Sequence, residues 1–323
     1  MDANPDRGRS AALISVVVPF HDEAAGVAGF YRQLCLALEG LAGHRFELVC
    51  VDDGSGDATL AELLALVERD ARVRVLELSR NFGKEAALTA GIDASRGDAV
   101  IAMDGDLQDP PELLARLIGE WQRGADVVLA RRSDRSQDAF LKRKTAELFY
   151  RVHNRLSSVK IPDNVGDFRL LDRAAVEALK ALPERQRFMK GLFAWIGFRT
   201  ATVDYVRGAR ATGASKFSGW RLWNFALEGI TGFSTVPLRI WTYIGGLGAL
   251  LTFLYAVFIT LRTVILGVDV PGYASLLVAI LFLGSLQLLS VGLLGEYIGR
   301  VYLETKQRPI YIVRREFGKR DAA

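Results

Sequence analysis

Apolar residues in the first half of the chain come in short unbroken runs, separated by longer stretches where they recur every three or four positions. Residues 13–19 (LISVVVP) are continuous and β-branched, as a strand covered on both faces should be. Residues 45–53 (RFELVCVDD), 73–78, 99–103 and 126–130 repeat that pattern. Between them, helical periodicity occupies residues 28–41, 57–69, 84–94 and 111–123. Strand–helix–strand alternation predicts an α/β fold with a mostly parallel sheet and helices on both faces.

The polar residues gather where these strands end: Glu23, Asp52-Asp53, Arg80-Asn81, and Asp104 with Asp106. One edge of the sheet therefore collects the chemistry, and open α/β sheets bind ligands at the carboxyl ends of their strands. In residues 100–112 (VIAMDGDLQDPPE) an apolar strand runs directly into two carboxylates, and Pro110-Pro111 opens the next helix. Asp106 and Gln108 offer the hard oxygens that Mg2+ or Mn2+ prefers, with phosphate oxygens completing the shell. An ordinary acidic turn explains the same residues. Asp53 reads either as an acceptor for a base or ribose, or as a helix cap together with Asp57.

Two nucleotide folds are excluded. Gly54-Ser55-Gly56 lacks the third glycine of a dinucleotide fingerprint, since Thr59 stands there, and its carboxylates precede the glycines. The P-loop pattern does not occur.

Cations follow. Residues 126–132 (DVVLARR) end a strand in Arg131-Arg132, and Arg135, Lys142, Arg143 and Lys144 precede an aromatic helical stretch. A solvated face is one reading; contact with a substrate phosphate or an anionic membrane is the other, and it favours Arg132. Asp167 either orients an acceptor or an arginine, or makes a structural ion pair. Residues 207–218 (RGARATGASKFS) suit a loose flap over a diphosphate or an ordinary basic loop.

Composition changes the picture in one respect. Half of the 323 residues are hydrophobic and mean hydropathy is +0.17, so part of the apolarity is available for a membrane. The charge balance, 41 Lys+Arg against 37 Asp+Glu, is too even to imply nucleic acid. The two cysteines, Cys35 and Cys50, have no metal-ligand spacing. Residues 1–12 lack a signal peptide's apolar core and are expected to be a disordered lead-in. Residues 240–261 and 274–295 are uncharged and reach the about 20 residues a transmembrane helix needs. Arg239 before them and Arg300, Lys306, Arg308, Arg314 and Arg315 after them place both ends in the cytosol, with Arg262 and Asp269 in the connecting loop. The aromatic stretch 216–238 is expected to lie at the headgroup level. Residues 309–313 (PIYIV) are expected to return to the soluble domain as a strand.

The segments VVVPFHDE (16–23), VDDGSGD (51–57), SRNFGKEAALTAG (79–91), MDGDLQDPPE (103–112), VGDFRLLDR (165–173), RATGASKFS (210–218) and LLGEYIGRVY (293–302) follow in order. Together they resemble family 2 glycosyltransferases of GT-A fold, within the group of bactoprenol glucosyltransferases and dolichyl-phosphate mannose synthases. The resemblance implies that Pro19, His21, Glu23, Val51, Asp53, Lys84, Asp104, Gly105, Asp106, Arg210 and Lys216 bind a nucleotide-sugar. It makes Asp104 and Asp106 the DxD motif and places Asp104, Asp106 and Asp167 at the chemistry. Asp106 and Gln108 would hold Mg2+ or Mn2+, and Arg131, Arg132 and Arg143 would meet the acceptor phosphate. The donor is expected to be a UDP-sugar, UDP-glucose above others, the acceptor a polyprenyl phosphate, and the assembly a homo-tetramer. The setting implied is the inner membrane, crossed twice, with catalytic domain and termini cytoplasmic. The chain departs from the pattern at His21-Asp22, where Tyr-Asn is usual, and at Gly105, where alanine is commoner.

The expected organisation is a lead-in (1–12), a GT-A domain (13–215), interfacial helices (216–238), a transmembrane hairpin (239–300) and a cytosolic tail (301–323). A polysaccharide synthase would show a Gln-x-x-Arg-Trp motif, which is absent. A non-catalytic nucleotide-sugar binder or export partner would not need Asp104, Asp106 and Gln108 intact.

Overall fold

The structure, a computed structural model, describes residues 12–133, 162, 164–185, 187–206, 236–266 and 272–318. Its strands are β1 (Leu13–Phe20), β2 (Arg45–Asp52), β3 (Val73–Leu78), β4 (Ala99–Ala102), β5 (Val127–Arg132), β6 (Val165–Asp172), β7 (Thr200–Tyr205) and β8 (Val313–Phe317). They make one eight-stranded sheet in the order β7-β5-β6-β4-β1-β2-β3-β8. The pairs β4–β1, β1–β2, β2–β3 and β5–β7 are parallel. The β6 strand runs antiparallel between β4 and β5, and β8 runs antiparallel along β3.

The strand pattern follows from burial on both faces. In β1, Val16 and Val18 face one core and Val17 the other. The first core is covered by α1 (Ala24–Glu39), α2 (Thr59–Arg69) and α4 (Leu114–Gln122), through Phe30, Leu34, Leu63 and Leu117. The second is covered by α3 (Lys84–Ala94), α5 (Arg173–Lys180) and α6 (Met189–Trp195), through Leu88, Ile92, Leu179 and Leu192. Pro111 opens a one-turn 3-10 helix that leads into α4, as the double proline predicts.

The chain order places β2 and β3 on one side of β1 and β4 on the other. The gap between the ends of β1 and β4 is therefore the topological switch point, where such sheets leave a crevice. The Met103 amide donates to the Val17 carbonyl at 3.1 Å, which closes the sheet just below that crevice.

Several expectations need correction. Ala12, placed in the lead-in, is 3% exposed, and its carbonyl accepts from Arg45 N at 3.0 Å. The returning strand is offset from 309–313 to Val313–Phe317, so part of the expected tail is an edge strand of the sheet. Ile312 keeps one link, its carbonyl accepting from Ser79 N at 2.9 Å.

Two long helices, α7 (Val236–Leu266) and α8 (Tyr273–Thr305), occupy the hairpin region. They begin earlier and end later than the uncharged runs, so Arg262, expected in the loop, is helical. Among the described residues, Phe282–Thr305 is the segment long and apolar enough to cross a membrane by length and composition. Much of its exposed surface is apolar: Phe282 is 67% and Leu288 74% exposed. Exposed apolar area of this kind needs a non-aqueous partner. Residues 1–11, the basic run from Arg135 to Lys144, the flap 207–218, most of the aromatic stretch 216–238, and Asp269 lie outside the described residues.

Candidate active site

At the end of β1 the chain turns through Asp22, whose φ of 53° is a left-handed conformation. The turn is held from the neighbouring β2–α2 connection: Gly56 N donates to Asp22 Oδ1 at 2.8 Å and Asp22 N to Ser55 Oγ at 3.1 Å. The unusual carboxylate at position 22 thus has a structural use. His21 Nε2 lies 2.8 Å from Asn81 Nδ2, which ties the β1 turn to the segment after β3. Glu23 N donates to Thr59 Oγ1 at 2.9 Å, placing Glu23 over the start of α2. Pro19 is paired in register with Val51. Val51 itself is 0% exposed and its side chain belongs to the core beneath α3, so it offers a ligand no side-chain contact.

Asp53 is 2% exposed. Its two carboxylate oxygens accept from Phe82 N at 2.8 Å and Gly83 N at 2.9 Å. Burial raises its pKa, and the two N–H donors act against that rise. Asp53 therefore caps the entry to α3, a different helix from the one its sequence neighbourhood suggests. The α2 entry is held by Asp57, which accepts from Thr59 N at 2.9 Å.

After β4, Asp104, Gly105, Asp106, Leu107 and Gln108 form the turn at the crevice. Gln108 N donates to Asp106 Oδ1 at 3.1 Å, and Leu107 adopts a φ of 56°. Positive φ at a leucine is strained backbone, and such strain persists where surrounding structure holds a functional geometry. Gly105 is buried, and a Cβ there would collide with the Phe20 ring.

Lys84, first residue of α3, ties distant parts together. Its Nζ lies 2.8 Å from Asp104 Oδ1 and 2.6 Å from Asp167 Oδ2. Asp167 comes from β6, 83 residues further along the chain. Burial alone would raise Asp167, but the Lys84 and Lys190 ammonium groups hold it well below the usual carboxylate range. Lys84, exposed along much of its side chain, is raised because both carboxylates favour its charged form. Sequence reasoning placed Lys84 on the nucleotide and Asp167 at the chemistry, without the link between them. The missing signal is tertiary, since no spacing rule pairs residues so far apart.

The two arginines of β5 diverge. Arg131 makes a two-pronged pair with Asp204 of β7, at 2.7 and 3.0 Å. Arg132 keeps an Nε without a partner among the described residues. Asp109 accepts from the Tyr205 hydroxyl, which anchors the DxD turn to the far end of the sheet. Arg143, Arg210 and Lys216 lie outside the described residues.

The donors of the DxD turn suit a hard divalent cation: two carboxylates and an amide oxygen within five residues. Among the described residues no three His, Cys, Asp or Glu side chains form a closed metal cluster.

Comparison with known proteins identifies the family. The model of glycosyl transferase family 2 matches residues 15–180, and that of the GtrB C-terminal hairpin matches residues 236–301. The bactoprenol glucosyl transferase of Shigella phage SfX is 55% identical over 301 residues, 93% of this chain and 98% of that protein. A prophage bactoprenol glucosyl transferase homolog of Escherichia coli K12 is 54% identical, over 94% of this chain and 98% of its own. An uncharacterized glycosyltransferase of Synechocystis is 51% identical, over 93% of this chain and 94% of its own. The chain belongs to glycosyl transferase family 2.

Proposed function

We propose that the chain is an inverting glucosyltransferase that moves glucose from UDP-glucose to a polyprenyl phosphate at a membrane. The observation that carries this is end-to-end identity of 54–55% to proteins named bactoprenol glucosyl transferases, over 93–94% of the chain. The residues at the switch point supply a chemistry to match.

Asp53, His21 and Asn81 fix the loops that frame the nucleoside side of the crevice. Asp106 and Gln108 are the residues that would hold Mg2+ or Mn2+, a cation whose charge offsets that of the departing diphosphate. Lys84 holds Asp104 and Asp167 at a set spacing on either side of the sugar position. The acceptor needs no base, since a phosphate's second pKa is about 6 and it arrives ionised. Arg132, with Arg131 and Arg143, is assigned to the acceptor phosphate, and Arg210 and Lys216 to the donor phosphates. Cations there position the nucleophile and reduce its repulsion from the donor. Attack opposite the leaving group inverts the anomeric centre.

We place α7 and α8 across the inner membrane with both ends cytosolic, which puts a lipid acceptor and a soluble donor at one site. A homo-tetramer is the proposed assembly, measurable by light scattering in detergent.

The test is to incubate membranes carrying the full chain with radiolabelled UDP-glucose, UDP-galactose or GDP-mannose and undecaprenyl phosphate. Label is expected in the lipid phase from UDP-glucose, lost on chelation and restored by Mg2+ or Mn2+. No lipid label from any donor, or unchanged transfer in Asp106→Ala, overturns the reading.

A further inference from the structure

Glu85 stands next to Lys84 in the first turn of α3. An acidic residue there would ordinarily be an exposed, ionised partner of the helix dipole. This one is half-buried. Its Oε2 is buried without a hydrogen-bond partner among the described residues. The Met189 amide, at the start of α6, lies on the side of its carboxyl and favours the charged form. The charged groups around it come from each packed element: Lys84 from α3, Asp167 from β6 and Lys190 from α6. Asp167 likewise has a buried oxygen, Oδ1, without a partner among the described residues.

Two carboxyls thus share one junction, and their environments drive them apart. Burial, with the Asp167 charge added, pushes Glu85 up to about 8 against the pull of Lys84 and Lys190. Asp167 goes the other way and keeps the charge. Resting on the transferase reading above, we propose that Glu85 is a positioning residue that works as a neutral carboxylic acid. With one negative charge at this junction instead of two, Lys84 stays committed to the bridge between Asp104 and Asp167. Ionised, Glu85 would compete for the same ammonium and loosen Asp104, at the first position of the DxD turn.

The experiment compares the full-length wild type with Glu85→Gln and Glu85→Ala, measuring transfer to undecaprenyl phosphate from about pH 6 to about 9.5. The glutamine keeps the volume and the neutral charge of the acid form. Glu85→Gln is expected to stay within about twofold of wild type near pH 7 and to remain flat as pH rises. The protonated fraction of a group titrating near 8 drops roughly eightfold between pH 7.5 and 9, and wild-type transfer should follow it. Glu85→Ala should be impaired throughout. A glutamine variant as impaired as the alanine one, or one that keeps the wild-type alkaline limb, overturns the proposal.

A second readout does not depend on transfer. Glu85 ordinarily titrates near 4.5 and does so in the fold near 8, so its share of stability is present below 4.5 and lost as pH rises through about 8. The melting temperature of purified wild type should carry that decline, and Glu85→Gln should lack it. If wild type transfers nothing, the transferase reading fails while melting still decides Glu85. If wild type transfers and the two melting profiles coincide, the Glu85 proposal fails alone.

Discussion

The Phe20 ring occupies the space that a Cβ on residue 105 would need. Phe20 is 2% exposed and packs edge-on against Phe30, with ring centroids 5.7 Å apart at 81°. Glycine in place of the commoner alanine is thus the packing counterpart of a large residue at the end of β1. Gly105→Ala should cost about 1–3 kcal/mol of stability by overpacking and shift Asp104 and Asp106, lowering transfer roughly tenfold or more. Shrinking the ring as well, in Phe20→Leu/Gly105→Ala, should recover part of both losses. A double variant no better than Gly105→Ala in melting and rate contradicts this coupling.

Asp53 gives each of two backbone N–H groups its own carboxylate oxygen, and asparagine would set an NH2 donor against one of them. Asp53→Asn should therefore leave one of the Phe82 and Gly83 amides unsatisfied, and Asp53→Ala both. Each orphaned donor should destabilise by about 1–3 kcal/mol. Hydrogen exchange at residues 80–86 should rise in that order, and the KM for UDP-glucose with it. Equal protection in both variants would show that the capping role is mistaken.

Asp167→Asn removes one of the two anchors of Lys84. Transfer should fall by about a hundredfold through misplacement of Asp104. The acid side of stability should change too. Asp167 is depressed below its ordinary 3.8, so its contribution is present above that value and lost as pH falls further. The asparagine variant should lack that part of the acid-side decline in melting temperature. Identical acid profiles would argue against the pairing.

Arg74 is 7% exposed at its side chain and lies 3.1 Å from Glu47 and 2.7 Å from Glu316 of β8. Glu316→Ala should lower stability by about 1–3 kcal/mol, since Arg74 keeps Glu47 and the Ala94 carbonyl. Transfer should be little affected if β8 serves attachment. Limited proteolysis within residues 306–318 should accelerate, and unchanged cleavage there would speak against a clamped strand.

Much of the fold was legible because buried parallel strands announce themselves. Runs such as LISVVVP and RFELVCVD have few alternatives once helices separate them. What escaped lay at the sheet's margins. The VRREF segment of β8 is exposed along most of its length and lacks an apolar pattern, so the adjoining PIYIV looked the better strand. The clustering of Asp53, Asp104 and Asp106 at strand ends was also visible, since strand ends can be read from where apolar runs stop. The direction in which Asp53 points was not, because its donors at Phe82 and Gly83 come from the next strand–helix connection. Glu85 was invisible for a related reason: as the first acidic residue of a helix it looks ordinary until β6 and α6 close over it.

The attachment of β8 has one further consequence. The sheet begins at β7 and ends at β8, its two outermost strands. The chain leaves from β7, runs through α7 and α8, and comes back in at β8. The return is latched where the Glu304 carboxylate accepts from Arg185 N at 3.0 Å and where the Tyr311 hydroxyl donates to Asp93 at 2.8 Å. With α7 and α8 in the bilayer as proposed, these contacts would moor the β8 rim of the catalytic domain to the membrane. A lipid acceptor diffusing in the plane would then meet the crevice over a narrower range of bearings than a loosely tethered domain would offer.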